Sequence, residues 1–320
     1  MRICIILIVG LLLVCCNDDS KIESEISKIE IEFEVERFDK LFLEATPNDL
    51  PKLKNAYPFL FSEKVPDSIW ITKMNDSLQN VVLKEVSKTY SDLKGVKNEL
   101  TSLFQHLKYY DKFFTIPRVI TLSNNVAYRN RIVVTDTIML IALDNYLGED
   151  HRFYVDSDIP MYLAKNFTEP QIVSDIASNY AEKYAFQTRR RTLLDEMIYF
   201  GKLLYFKDMV IPFKTDADKI GYTQAQLQWA EANESPIWSH FIEKEMLYST
   251  DSKLPSRFIA DAPFSKFYLE LDNDSPGRLG QYIGWQIVKA YAQNTGKDLM
   301  RIMQEDPETI YRTSKFKPKK

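Results

Sequence analysis

The strand signal of this 320-residue chain is confined to two blocks, and that confinement limits its fold more than any other feature. In the first block, IEIEFEVE, the residues Ile29, Ile31, Phe33 and Val35 alternate with Glu30, Glu32, Glu34 and Glu36. This is the period of a strand with one dry face and one solvated face. The acidic row reads as a charged edge that discourages pairing with other chains rather than as a metal site. In the second block, RVITL from Arg118 and RIVVTDTIMLIALD from Arg131 flank a Ser-Asn-Asn turn. Both are rich in β-branched residues and read as two strands, ended by Tyr146, Leu147 and Gly148.

The long remaining segments carry helical spacing. Between Asp67 and Phe114 it appears in Leu78, Val82 and Val86, and again in Leu100, Leu103, Phe104 and Leu107. His106 stands alone among these and reads as a satisfied or surface imidazole. From Thr168 the pattern is mostly helical, with Thr168 as an N-cap and Ile172, Val173, Ile176, Tyr180 and Tyr184 on one stripe. No repeat is visible, and no linker after residue 28 divides the chain. The reading is a single α+β domain over residues 29–320, helix-dominated with a small sheet.

The N-terminus is organised differently. After Met1 and Arg2, the apolar run from Ile3 to Val14 would span only ~18 Å as a helix, against a hydrocarbon core of ~30 Å. Residues 1–15 therefore read as a secretory signal peptide. The LVCC that follows resembles a bacterial lipobox, with Cys16 as the lipidated residue, Leu13 at −3 and the small Cys15 at −1. Cys15 is the alternative acceptor. All 3 cysteines, Cys4, Cys15 and Cys16, fall here, so no internal disulfide is expected. Acyl chains on Cys16 would bury methylenes at ~0.8 kcal/mol each and hold the protein on a membrane. Residues 16–28 then form a polar tether. Asn17 directly after Cys16 favours the outer membrane, as in resembling lipoproteins. A net charge of −4 removes nucleic acid as the leading partner.

The stretch LLDEMIYFGK places Asp195, Glu196 and Tyr199 at the spacing of an H-E-x-x-H zinc helix. On a helical wheel Leu194, Met197, Ile198, Gly201, Leu204 and Tyr205 form an apolar stripe. Asp195, Tyr199 and Lys202 lie opposite, with Glu196 beside them, and are expected to face solvent or a groove. Catalytic zinc takes three protein ligands, commonly imidazoles or a carboxylate. Here an acid and a phenol, whose ordinary pKa is ~10, occupy the histidine positions, while His151 and His240 are isolated. No metal and no cofactor is expected. Asp195 and Glu196 are neighbours rather than a facing glycosidase-like pair, and their row reads first as surface hydrogen bonds and ion pairs.

A second stretch, SPGRLGQYIGW, has Ser275 as an N-cap and Pro276 at the first helical position. Gly277, Gly280 and Gly284 cost ~1 kcal/mol each relative to Ala in a helix, a loss that close approach to another helix of the same domain would offset. Arg278, Gln281, Tyr282 and Trp285 are the alternative lining of a groove. The basic tail SKFKPKK reads as a solvated end.

The lipobox, LLDEMIYFGKLLYF, the segment from Ile220 to Thr250, APFSKF, SPGRLGQYIGWQIVKAYAQN and SKFKP, taken as an ordered series, resemble the GldB family of gliding-motility lipoproteins of Bacteroidetes. That family in turn looks distantly similar to zinc peptidases of gluzincin-like layout. Carried over by position, Asp195 stands for the first histidine, Glu196 is the retained glutamate and Tyr199 stands for the second histidine. The resemblance implies a non-catalytic envelope scaffold that binds another component of the motility or type 9 secretion apparatus. It also implies a relict groove, with Asp195, Glu196, Tyr199, Lys202, Arg278, Tyr282 and Trp285 as candidate binding residues. Two alternatives stay open: a hydrolase of peptide or cell-wall substrate with Glu196 as base, and a module that holds a peptide or glycan in the old cleft.

Overall fold

The computed structural model describes residues 20–188 and 190–319. The signal peptide, Cys16 and the first tether residues lie outside them. The later part of the expected tether is docked on the domain: residues 20–26 are helical, Ile26 is buried, and Gln105 Nε2 donates to the Ile29 carbonyl at 3.0 Å. His106 is buried and satisfied, with Nδ1 2.7 Å from the Ser102 carbonyl and Nε2 3.2 Å from Glu23.

The sheet has four strands, β1 (Val35–Arg37), β2 (Arg118–Leu122), β3 (Ile132–Val134) and β4 (Ile138–Ala142), in the order β1-β2-β4-β3. β1, β2 and β4 run parallel, and β3 pairs antiparallel with β4. Two strand expectations need correction. The glutamate-alternating block pairs only at its end; before it, Ile31 and Phe33 pack on the helical core, Phe33 lying edge-on to Phe104 at 5.1 Å, while Glu34 reaches Lys97. The alternation is real, but a helix rather than a strand supplies its dry partner. The second block gives three strands with RVITL, because Thr135 folds it into a hairpin: its N–H donates to the Ile138 carbonyl and its hydroxyl accepts from the Ile138 N–H, at 2.8 and 2.9 Å.

The longer helices are α1 (Ser77–Thr89), α2 (Lys94–Tyr110), α3 (Gln171–Tyr184), α4 (Leu193–Val210) and α5 (Leu279–Thr295), followed by the short α6 (Leu299–Gln304) and α7 (Pro307–Ser314). α3 begins after Pro170, and the Thr168 carbonyl, not its side chain, receives the Gln171 N–H, so Thr168 is not the N-cap. α5 begins after Arg278, whose backbone is left-handed at φ 61°. Ser275 is buried upstream, its hydroxyl bonded to the Ser265 carbonyl, and caps nothing on α5.

α4 organises the packing. Leu203, Phe206 and Val210 join the core that α2 and α3 make with one face of the sheet. Leu194, Met197, Ile198 and Leu204 join a second core with α5 and the C-terminal helices. A third cluster, including Phe38, Leu50, Phe61 and Ile120, covers the other face of the sheet. A helix enclosed on both flanks is apolar nearly all round, and α4 is the element around which the domain closes. Its approach to α5 is set by Gly201 and Gly284: a Cβ on Gly201 would overlap the Gly284 carbonyl, and one on Gly284 would overlap that of Met197. Gly280 similarly lies under Phe258, and Gly277 under Ala262.

Candidate functional site

The acid and phenol positions at the start of α4 are committed to local structure. Asp195 completes a capping box with Thr192: its own N–H reaches the Thr192 hydroxyl at 3.1 Å, and its carboxylate accepts from the N–H groups of Thr192 and Arg191 at 3.0 Å. Two orphan donors of the helix end are thereby satisfied. Glu196 takes the Arg190 guanidinium through both oxygens, with Nε at 3.0 Å. The same guanidinium lies over the Tyr199 ring, 3.7 Å from its centroid, a stacked cation that fixes the phenol in place.

Lys202 departs most from the expected polar face. It is fully buried, and Nζ donates to three carbonyls, Phe186 at 3.3 Å, Met303 at 3.4 Å and Glu305 at 2.5 Å. Two of those acceptors belong to the C-terminal end of α6, where a cation completes unpaired carbonyls. Burial pushes its pKa down to about 8. The wheel placed Lys202 opposite the apolar stripe, but α4 has no open side there. Tyr282 and Trp285 are buried too: Tyr282 donates to Glu234 at 3.0 Å and Trp285 Nε1 to Asp208 at 2.7 Å. Neither lines a groove. Gln281 and Arg278 do.

The groove they reach is a cleft of about 650 Å³ between α3 and α4, bounded also by residues 128–132, 162–166 and 219–221. It opens on the face of α4 that carries Phe200, Leu203, Leu204 and Lys207, not on the Asp195 face. Arg131 pairs with Asp175 at 2.6 Å, and the Tyr146 hydroxyl donates to the same carboxylate at 2.8 Å. Lys207 is buried at the cleft wall, with Nζ donating to the Ser174 hydroxyl at 3.1 Å and the Lys219 carbonyl at 2.7 Å. No carboxylate among the described residues pairs with it, and burial pushes its pKa down to about 8. Arg278 donates to the Gly221 carbonyl at 3.0 Å and lies 3.5 Å from Asp261.

Sequence reasoning named Arg278 and Gln281 but missed Lys207, Arg131 and Asp175. A signal existed for Lys207, which lies three and four residues after Leu204 and Leu203, where a buried helix calls for an apolar residue. Among the described residues no group of three or more His, Cys, Asp or Glu could hold a metal ion, and none of their helices is long and apolar enough to cross a membrane.

Together these features define a helix-dominated, single-domain α+β protein closed around one central helix, with a polar cleft along it. The family described as gliding motility protein GldB matches residues 19–318, and the chain belongs to that family. No curated protein and no solved structure matches it.

Proposed function

We propose that the protein is a lipid-anchored component of the cell envelope that supports gliding by binding another part of the motility or type 9 secretion apparatus, without chemistry of its own. Family membership supports the motility role. The reading against catalysis rests on the Arg190, Glu196 and Tyr199 arrangement: both Glu196 oxygens are held by a guanidinium that is itself stacked on the phenol. A general base must present a lone pair to the proton it removes, and here one lone pair on each oxygen is spent on Arg190, which holds the carboxylate in an ion pair at the helix start. A peptidase ancestry for α4 is compatible with that arrangement, with the spacing kept and its residues turned to capping and pairing.

The anchor is assigned to Cys16, with the bilayer, and the outer membrane first, as its partner surface. Replacing Cys16 by Ser should move the protein to the soluble fraction and abolish gliding. Retention of Cys16→Ser in the membrane fraction refutes the anchor. A second reading, a ligand-binding module, is favoured by the cleft beside Lys207 and Arg278.

A further inference from the structure

We propose that the cleft between α3 and α4 binds a small polyhydroxylated anion, a sugar bearing a carboxylate or a phosphate group, whose charge is met by Lys207 and Arg278. The inference extends beyond the scaffold reading and is independent of it.

The charge of Lys207 is the first observation. An ammonium has three donors, and two of them reach neutral acceptors, the Ser174 hydroxyl and the Lys219 carbonyl. No carboxylate among the described residues contacts it, although the charges of Asp175 and Glu182 act on it from further off. Asp175 is taken up by Arg131 and the Tyr146 hydroxyl, and Lys219 is neutralised by Asp208 and Asp216. Glu182, two turns beyond Asp175 on α3, lines the cleft without a hydrogen bond or an ion pair to any described residue, and its charge favours that of Lys207 without touching it. A buried cation with no carboxylate in contact is costly, and an anion entering the cleft lowers that cost. Arg278 adds a second cation, held by the Gly221 carbonyl, 3.5 Å from the exposed Asp261 carboxylate, and kept in a left-handed backbone conformation that costs a non-glycine residue ~1–2 kcal/mol. Such local strain gathers at binding sites.

The walls specify the rest of the ligand. Asn166, Gln171, Asn179 and Gln281 each spend the amide NH₂ on a backbone carbonyl, those of Gly221, Asp218, Asp175 and Ile259. That fixes which way each amide points, since NH₂ cannot be exchanged for O against a carbonyl acceptor. The four amide oxygens have no hydrogen-bond partner among the described residues, and all four residues line the cleft with Lys207 and Arg278. A fitting occupant supplies several donors and one negative charge. Sugar hydroxyls do so, whereas inorganic phosphate has too few donors and a peptide carries about one per residue. Phe200 and Tyr162 add aromatic surface to the lining, of the kind that suits the C–H side of a sugar. The volume of about 650 Å³ lies in the range of small-ligand sites. The Tyr128 to Arg131 rim follows β2, at the carboxyl ends of the parallel strands, where open sheets place their ligands.

Isothermal titration of the full-length protein in detergent tests this with galacturonic acid, glucose 6-phosphate, galactose, glucose, inorganic phosphate and glycylglycine. The expected result is that at least one sugar anion binds with Kd below about 1 mM. It should bind at least about tenfold more tightly than its neutral parent, phosphate or the dipeptide. Which anion binds separates a sugar acid from a sugar phosphate. Lys207→Met should weaken that binding at least about tenfold, and Arg278→Gln carries the same test if the first variant does not fold. The inference is overturned if neither sugar anion binds, if phosphate, a neutral sugar or glycylglycine binds equally well, or if folded variants bind unchanged.

Discussion

Gly201 and Gly284 lie where α4 crosses α5: a Cβ on Gly201 would meet the Gly284 carbonyl, and one on Gly284 would meet the Met197 carbonyl one turn before Gly201. Neither helix can move away cheaply, because both flanks of α4 are packed. Alanine at either position gains up to ~1 kcal/mol of helix propensity but forces the backbones apart. Gly201→Ala and Gly284→Ala should each lower the unfolding free energy by about 2 kcal/mol, as overpacked sites do. Urea midpoints measure this, and an unchanged midpoint would show that the crossing is looser than described.

Asp195 acts as a capping residue. Asp195→Ala should cost about 1 kcal/mol, the usual loss for a broken helix cap, and Asp195→Asn should cost less because an amide oxygen still accepts. Thermal unfolding of the two variants distinguishes this from a role in binding, which would leave the melting temperature where it is.

Lys202 joins α4 to the end of α6 and to the 186 loop. Lys202→Ala should destabilise by about 3 kcal/mol, through a cavity and the loss of the donor to the Phe186 and Glu305 carbonyls, Met303 keeping the Phe186 N–H.

The same residue, with Lys207, sets an alkaline pH dependence. Both lysines have pKa values pushed down by burial to about 8 in the folded protein, whereas the unfolded chain holds those protons to about 10.4. Between these values the unfolded state binds more protons, so stability rises with pH. The gain is complete above the unfolded pKa and is lost as pH falls through about 8. Buried tyrosines such as Tyr222 and Tyr282, whose pKa values burial raises, oppose it once unfolded phenols ionise near pH 10. Chemical denaturation from pH 8 to about 9.5 should show rising stability, and Lys207→Met should have a shallower slope. A flat profile for the native protein contradicts it.

The fold class was legible because the strand signal was rare and the helical spacing long. The glycine spacing was legible for the same kind of reason: Gly284 makes the close helix contact its sequence calls for. What the wheel could not show is that α4 is buried on both sides, so the polar side of a surface helix became the inside of a clamp at Lys202. The 131–144 block hid its hairpin because Thr135 and Thr137 are themselves good strand residues, and the turn depends on a hydroxyl bond that periodicity does not register. The cleft was the least visible feature. Its walls come from α3, α4, the loop after β2 and Arg278, segments brought together only by the closing of the domain around α4.

The central claim is that the Asp195 to Tyr199 segment is structure and not catalytic machinery. Gliding speed of cells whose only copy of the protein carries Glu196→Gln tests it most directly. At normal protein level the account predicts speed within the wild-type range, because the amide keeps an acceptor for Arg190 while losing any capacity as a base. Cells that make the folded variant in full amount yet do not glide would contradict it.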